Sequence, residues 1–102
     1  LMAGFTTLRG VGSVDFSDVA VRNAIDAGQF WGPRMLVCGW SISPPGGSSD
    51  SRCTPDITGN HPHGYIINGV DDVLKATREN FKFGADAVKI MVTRGQEVMS
   101  MT

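Results

Sequence analysis

No apolar run in this chain approaches the roughly 18 residues needed to cross a bilayer. Leu1-Met2-Ala3-Gly4 leads straight into a strand-like segment, with no basic stretch ahead of an apolar one, so no secretory leader is expected there. Charge of one sign is lacking too: nine Lys and Arg stand against ten Asp and Glu, a net charge of -1. Neither nucleic acid nor an anionic membrane is therefore expected as a partner. Cysteine is scarce. Cys38 lies in an apolar pattern and Cys53 in a polar loop, so both read as free thiols, and a cytoplasmic setting is expected. What remains is a soluble globular composition, 41% hydrophobic and 19% charged, in 102 residues, enough for one modest core.

The elements follow in a regular order. Phe5-Thr6-Thr7-Leu8-Arg9 reads as a short strand. A helix follows from Asp15 or Ser17, either of which can cap it, to about Ala27, with Val19, Val21, Ala24 and Ile25 on its apolar side and Gly28 as its stop. Met35-Leu36-Val37-Cys38-Gly39 is a continuous apolar strand of the kind covered on both faces. Ser41 to Asn68 is rich in Pro, Gly, Ser and Asp and reads as a long loop, a feature usually tied to function. A second helix spans about Asp71 to Phe83, with Val70, Val73, Leu74, Thr77 and Phe81 as its apolar stripe. Gly84 ends it, and a third strand runs from Ala87 to Val92. Strand, helix, strand, helix, strand predicts α/β architecture with a parallel sheet. Both ends look cut, so residues 1–102 read as a piece of a larger domain, incomplete at each end.

One residue breaks the apolar pattern. Val88, Ile90 and Val92 share one face of the third strand, and Lys89 sits between Ala87 and Met91 on the other. Burying an unpaired ammonium is costly, so this lysine either snorkels to water or is held for a purpose. In parallel α/β folds, sites form at the carboxyl ends of strands. Three segments qualify: Arg9 to Ser13, Trp40 to Asp50, and Thr93 to Gln96.

Five segments occur in a telling order: Gly4-Phe5-Thr6-Thr7-Leu8-Arg9, Ala24-Ile25-Asp26-Ala27-Gly28, Gly32-Pro33-Arg34, Ser43-Pro44-Pro45-Gly46-Gly47 and Gly84-Ala85-Asp86-Ala87-Val88-Lys89-Ile90. Together they resemble the imidazolonepropionase-like and prolidase-like branch of the amidohydrolase superfamily, over nearly the whole chain. The resemblance implies a partial (β/α)8 TIM-type barrel, parallel strands alternating with helices, of which this chain holds about strands two to four. A full barrel needs about 250 residues. It also implies a metal-dependent hydrolase that cleaves an amide, cyclic amide or peptide-like C–N bond of a small-molecule substrate. Lys89 matches the family's strand-four lysine, which is carboxylated and bridges two divalent metals, commonly zinc. Desolvation favours a neutral lysine amine, the form that can take up carbon dioxide. A barrel-strand lysine can also be an unmodified binding or ion-pair residue, but the surrounding pattern favours the carboxylated ligand.

The remaining ligands in the family come from strands one, five, six and eight, which are not represented here. The chain alone is therefore expected to be inactive, and to associate with the remainder of a barrel or with itself. His61-Pro62-His63 is a His-x-His by spelling, but Thr54 to Asn60 before it is loop rather than an apolar strand. A solvent-exposed or substrate-side loop is expected there, with His63 a candidate substrate contact. Relatives often carry His-Gly-Asp where this chain has Ser48-Ser49-Asp50, so Ser48 and Asp50 become candidates at the pocket mouth and substrate assignment is put in doubt. Arg9 is a candidate for gripping a substrate carboxylate, or for an ion pair tying the mouth together; relatives often place aspartate next, where this chain has Gly10. The reading from another class is a small α/β binding or interaction module with no catalytic metal.

Overall fold

The computed structural model describes residues 1–50 and 63–93. Its elements are β1 (Thr7–Arg9), α1 (Ser17–Asp26), β2 (Arg34–Leu36), β3 (Ser41–Ser43), β4 (Gly64–Ile66) and α2 (Val70–Lys82). β1 pairs with β2, and β3 with β4, both in parallel. The helical crossover from β1 to β2 is what a parallel pair requires. The small α/β unit with parallel strands is thus as expected; among the described residues the strands do not close into a barrel.

The third strand forms less ladder than its sequence suggests. Residues 88–92 meet β3 only at a parallel bridge between Ile42 and Ile90. Ile42 N–H donates to the Lys89 carbonyl and Met91 N–H to the Ile42 carbonyl, each at 2.8 Å. Ile42, 1% exposed, therefore lies between Tyr65 of β4 and Ile90, which makes β3 a central strand. The expected apolar face of that segment is open: Ile90 is 54% and Val92 81% exposed. The α2 stripe is corrected likewise, since Val70, Leu74 and Phe81 are exposed and Ala76 and Asn80 are the buried positions. Asn80 reaches from the helix to the Trp40 backbone, just ahead of β3. The long loop is corrected at both ends, because β3 opens it and β4 lies within it.

Neither Asp15 nor Ser17 caps α1. Its N-cap is Phe16, in the left-handed region at φ 55°, with no side-chain cap hydrogen bond. Phe16 instead packs its ring 5.0 Å from that of Phe83, just past α2. Gly28 (φ +75°) and Gly84 (φ +101°) end the helices as the sequence indicates.

The expected apolar strand at 35–39 is broken in its second half. Gly39 stands at φ +64°, and a Cβ there would lie 2.6 Å from the Phe16 ring and 2.9 Å from Asn80 Oδ1. Gly39→Ala combines a strained backbone with overpacking and should cost about 2–3 kcal/mol, read as a lower urea midpoint. An unchanged midpoint would mean that the break is not needed.

Candidate functional site

Side chains, rather than a neighbouring strand, take up the backbone at the break. Val37 N–H donates to Asp86 Oδ2 at 3.0 Å, and Cys38 and Gly39 N–H donate to Asp18 Oδ2 at 3.1 and 3.0 Å. Trp40 N–H donates to Asn80 Oδ1 at 3.1 Å, while Asn80 Nδ2 returns a bond to the Trp40 carbonyl at 2.8 Å. Four consecutive amides are thus held by three side chains, from α1, α2 and the turn after α2. Burial raises the Asp18 carboxyl, but bonds from the Ser13 hydroxyl and the amides of Gly39, Val19 and Cys38 outweigh it and hold the group below the usual carboxylate range. Asp86 is also lowered, first by the Val37 amide and then, against desolvation, by Arg22, whose Nη1 lies 2.7 Å away. None of these three polar residues stood out in the sequence reading.

The break seats Cys38 as a free, buried thiol that donates to the Gly10 carbonyl at 3.0 Å. Burial, then the Asp18 charge, pushes the thiol up, while Arg9 and Lys89 pull the other way. Two sequence-level candidates, Arg9 at the end of β1 and Lys89 beside β3, thus lie within electrostatic reach of one thiol. Arg9 is exposed and Lys89 half-buried, and among the described residues neither forms a salt bridge.

Ser48, Asp50 and His63 gather at the carboxyl end of β3. Ser48 is exposed, and its N–H donates to the Thr93 carbonyl at 3.3 Å. Asp50 turns one carboxylate oxygen onto Gly46 N–H at 3.0 Å within its own turn. His63 is exposed, and its N–H donates to the Ser49 carbonyl at 3.1 Å. Buried Ser41 and Ser49 join their hydroxyls at 2.7 Å, tying this turn to β3. An open cavity of roughly 320 Å³ lies here, lined by Pro44, Pro45, Gly46, Gly47, Val92 and Thr93. His61, Cys53 and the Arg94 to Gln96 end of the third candidate segment fall outside the described residues.

Tyr65 of β4 is half-buried, and desolvation followed by its bond to Glu79 of α2 pushes the phenol up to about 12. Its ring stands 6.0 Å from that of Trp40, so β4 braces the loop wall without presenting an ionisable group. Among the described residues, no group of three His, Cys, Asp or Glu side chains could hold a metal. No helix among the described residues is long and apolar enough to cross a membrane.

No family model matches the chain, and no curated protein does. Solved structures do. The chain is similar to a Xaa-Pro dipeptidase with methionine bound in its active site, at 34% identity and a TM-score of 0.79 over 91% of this chain and 24% of that one. An amidohydrolase matches at 34% identity and TM-score 0.76, covering 90% of this chain and 24% of its own. A prolidase complexed with N-methylphosphonate-L-proline matches at 30% identity and TM-score 0.75, again over 90% and 24%. The chain thus spans about a quarter of the length of the structures it matches.

Proposed function

Because the chain belongs to the amidohydrolase-like family, as a portion of its prolidase-type members, we propose that it forms strands two to four of a metal-dependent hydrolase barrel acting on a peptide-like or cyclic amide C–N bond. The observation that carries this reading is the seat of Lys89. Its carbonyl is bonded to Ile42 N–H, so the lysine lies on a segment parallel to β3, with its amine free of any salt bridge among the described residues. That position fits one ligand of a larger set. In its neutral form the Lys89 amine would attack carbon dioxide, forming an N–C bond as one C=O π pair moves to oxygen and one proton leaves, and the resulting carbamate shares a single negative charge over two oxygens. Those oxygens would hold two divalent cations, zinc being the expected metal. Such cations, when bound, lower the pKa of a water and polarise a carbonyl.

The other residues have supporting parts. Arg9 would take a substrate carboxylate bidentately, which suits dipeptides with a free C-terminus. The 44–50 turn with Ser48 and Asp50, and exposed His63, would border the substrate.

The carbamate can be tested without activity. In labelled bicarbonate at mildly alkaline pH, a carbamate carbon signal should appear in the ¹³C NMR spectrum and vanish in Lys89→Ala. A spectrum identical for the two proteins would remove Lys89 carboxylation in this chain. A small-molecule binding module, the reading from another class, would show ligand binding indifferent to both bicarbonate and metal.

A further inference from the structure

The hydrogen bonds around the break carry an odd count. Before it, Arg34 N–H and the Leu36 carbonyl face β1, bonding the Thr6 carbonyl and Gly10 N–H at 2.9 and 2.7 Å. Val37 faces the opposite way. Its N–H goes to the Asp86 side chain, and its carbonyl accepts from the amides of Asp86 and Ala87 at 2.8 and 3.3 Å. In a regular strand, odd-numbered residues after Val37 would keep facing that segment. Yet Ile42, an even-numbered position, bonds Lys89 and Met91 there, while the Ser43 carbonyl accepts from Ile67 on the β4 side at 2.9 Å. The strand has changed parity. The change falls between Val37 and Ile42, where Gly39 stands at φ +64° and its carbonyl accepts from Ser13 N–H, on the β1 side, at 2.8 Å. A change of parity within one strand is the mark of a bulge.

Parity decides direction. Removing one residue's offset in a strand pairing moves every following side chain to the other face. We propose that Asp18, Asn80 and Asp86 hold this bulge and, through the bonds of Asp86 to Val37, act as positioning residues for the segment that carries Lys89. Their bonds satisfy all four amides of residues 37–40, the stretch in which the parity changes. Asp86 also ties the lysine's own segment to Val37, three residues ahead of Lys89. The charged and titratable groups around the bulge are Asp18, Asp86, Arg22, Arg9, Cys38 and Lys89, of which only the two carboxylates and Arg22 bond within the cage. The inference concerns where Lys89 is seated, and holds whether or not its amine becomes a carbamate.

Labelling of the amine reads the seat directly. The chain's three lysines are Lys75, Lys82 and Lys89, and the first two are exposed on α2. Reductive methylation followed by peptide mass spectrometry gives the Lys89 rate relative to Lys75 and Lys82. In Asp86→Ala, with folding checked by circular dichroism, this ratio should rise about fivefold, the factor carried by one hydrogen bond of typical net strength. Asp18→Ala should raise it further. Arg22→Gln removes the ion pair but leaves the Asp86–Val37 bond, and should leave the ratio unchanged. The proposal is overturned if folded Asp86→Ala labels Lys89 as the parent does, or if Arg22→Gln raises the ratio equally. Should Asp18→Ala fail to fold, the Asp86→Ala and Arg22→Gln pair still decides.

Discussion

Lys89→Ala, in a complete barrel containing this segment, is expected to lower kcat for a dipeptide by at least about a thousandfold. A metal held through a carbamate supplies several kcal/mol of transition-state charge stabilisation, and each 1.36 kcal/mol is tenfold in rate. The companion variant separates the two readings of the lysine. Lys89→Arg keeps a cation but cannot form a carbamate, because the guanidinium stays protonated. A lysine that acts only as a cationic contact would survive this exchange with a modest rise in KM. A carbamate ligand would not, and metal content would fall along with kcat. A short carboxylic acid, added to Lys89→Ala, offers the same two oxygens in the vacated space and should restore part of both. Near-parent kcat and metal content in Lys89→Arg would sink the assignment.

How far the sequence carried depended on the kind of signal. Helices ended by glycine were legible, because Gly28 and Gly84 stand at positive φ and few other residues do so cheaply. Parallel pairing was legible from the alternation of elements. Lys89 stood out in the sequence because a cation inside an apolar β-branched run violates the pattern. The α2 stripe misled for a physical reason: apolar periodicity marks a face without saying that anything covers it, and Leu74 and Phe81 are 45% and 50% exposed. Their place was taken by Asn80, wholly buried and bonded twice to Trp40. Asp18 and Asp86 escaped notice because acids near helix ends are ordinary. Their targets are amides 20 or more residues away, and no local spacing announces such a bond. The available hint was Gly39, a glycine interrupting an apolar strand, where a bulge is the standing expectation.

Asp18→Ala should be the most damaging single change to stability among the described residues, at about 3 kcal/mol. It deprives two amides, Cys38 and Gly39, both in buried residues, of their acceptor, and each such loss costs about 1–3 kcal/mol. Water can reach part of this half-buried site, which keeps the sum toward the lower end. The bonds from the Ser13 hydroxyl and the Val19 amide are lost with them. For a domain stable by about 5–15 kcal/mol, such a change is large. The pH dependence supplies an independent check. The folded carboxyl is held below its ordinary value of 3.8, so the folded state binds fewer protons than the unfolded one around that pH. Its contribution is complete above the unfolded value and fades as pH falls through the folded one. Asp86 behaves alike, being lowered from 3.8 as well. Urea titrations of the parent should therefore lose stability steeply below about pH 4, and Asp18→Ala should show a shallower acid slope with a lower plateau at neutral pH. A variant as stable as the parent at pH 7, or one with an unchanged acid slope, would show that the carboxylate does not hold the break in the strand.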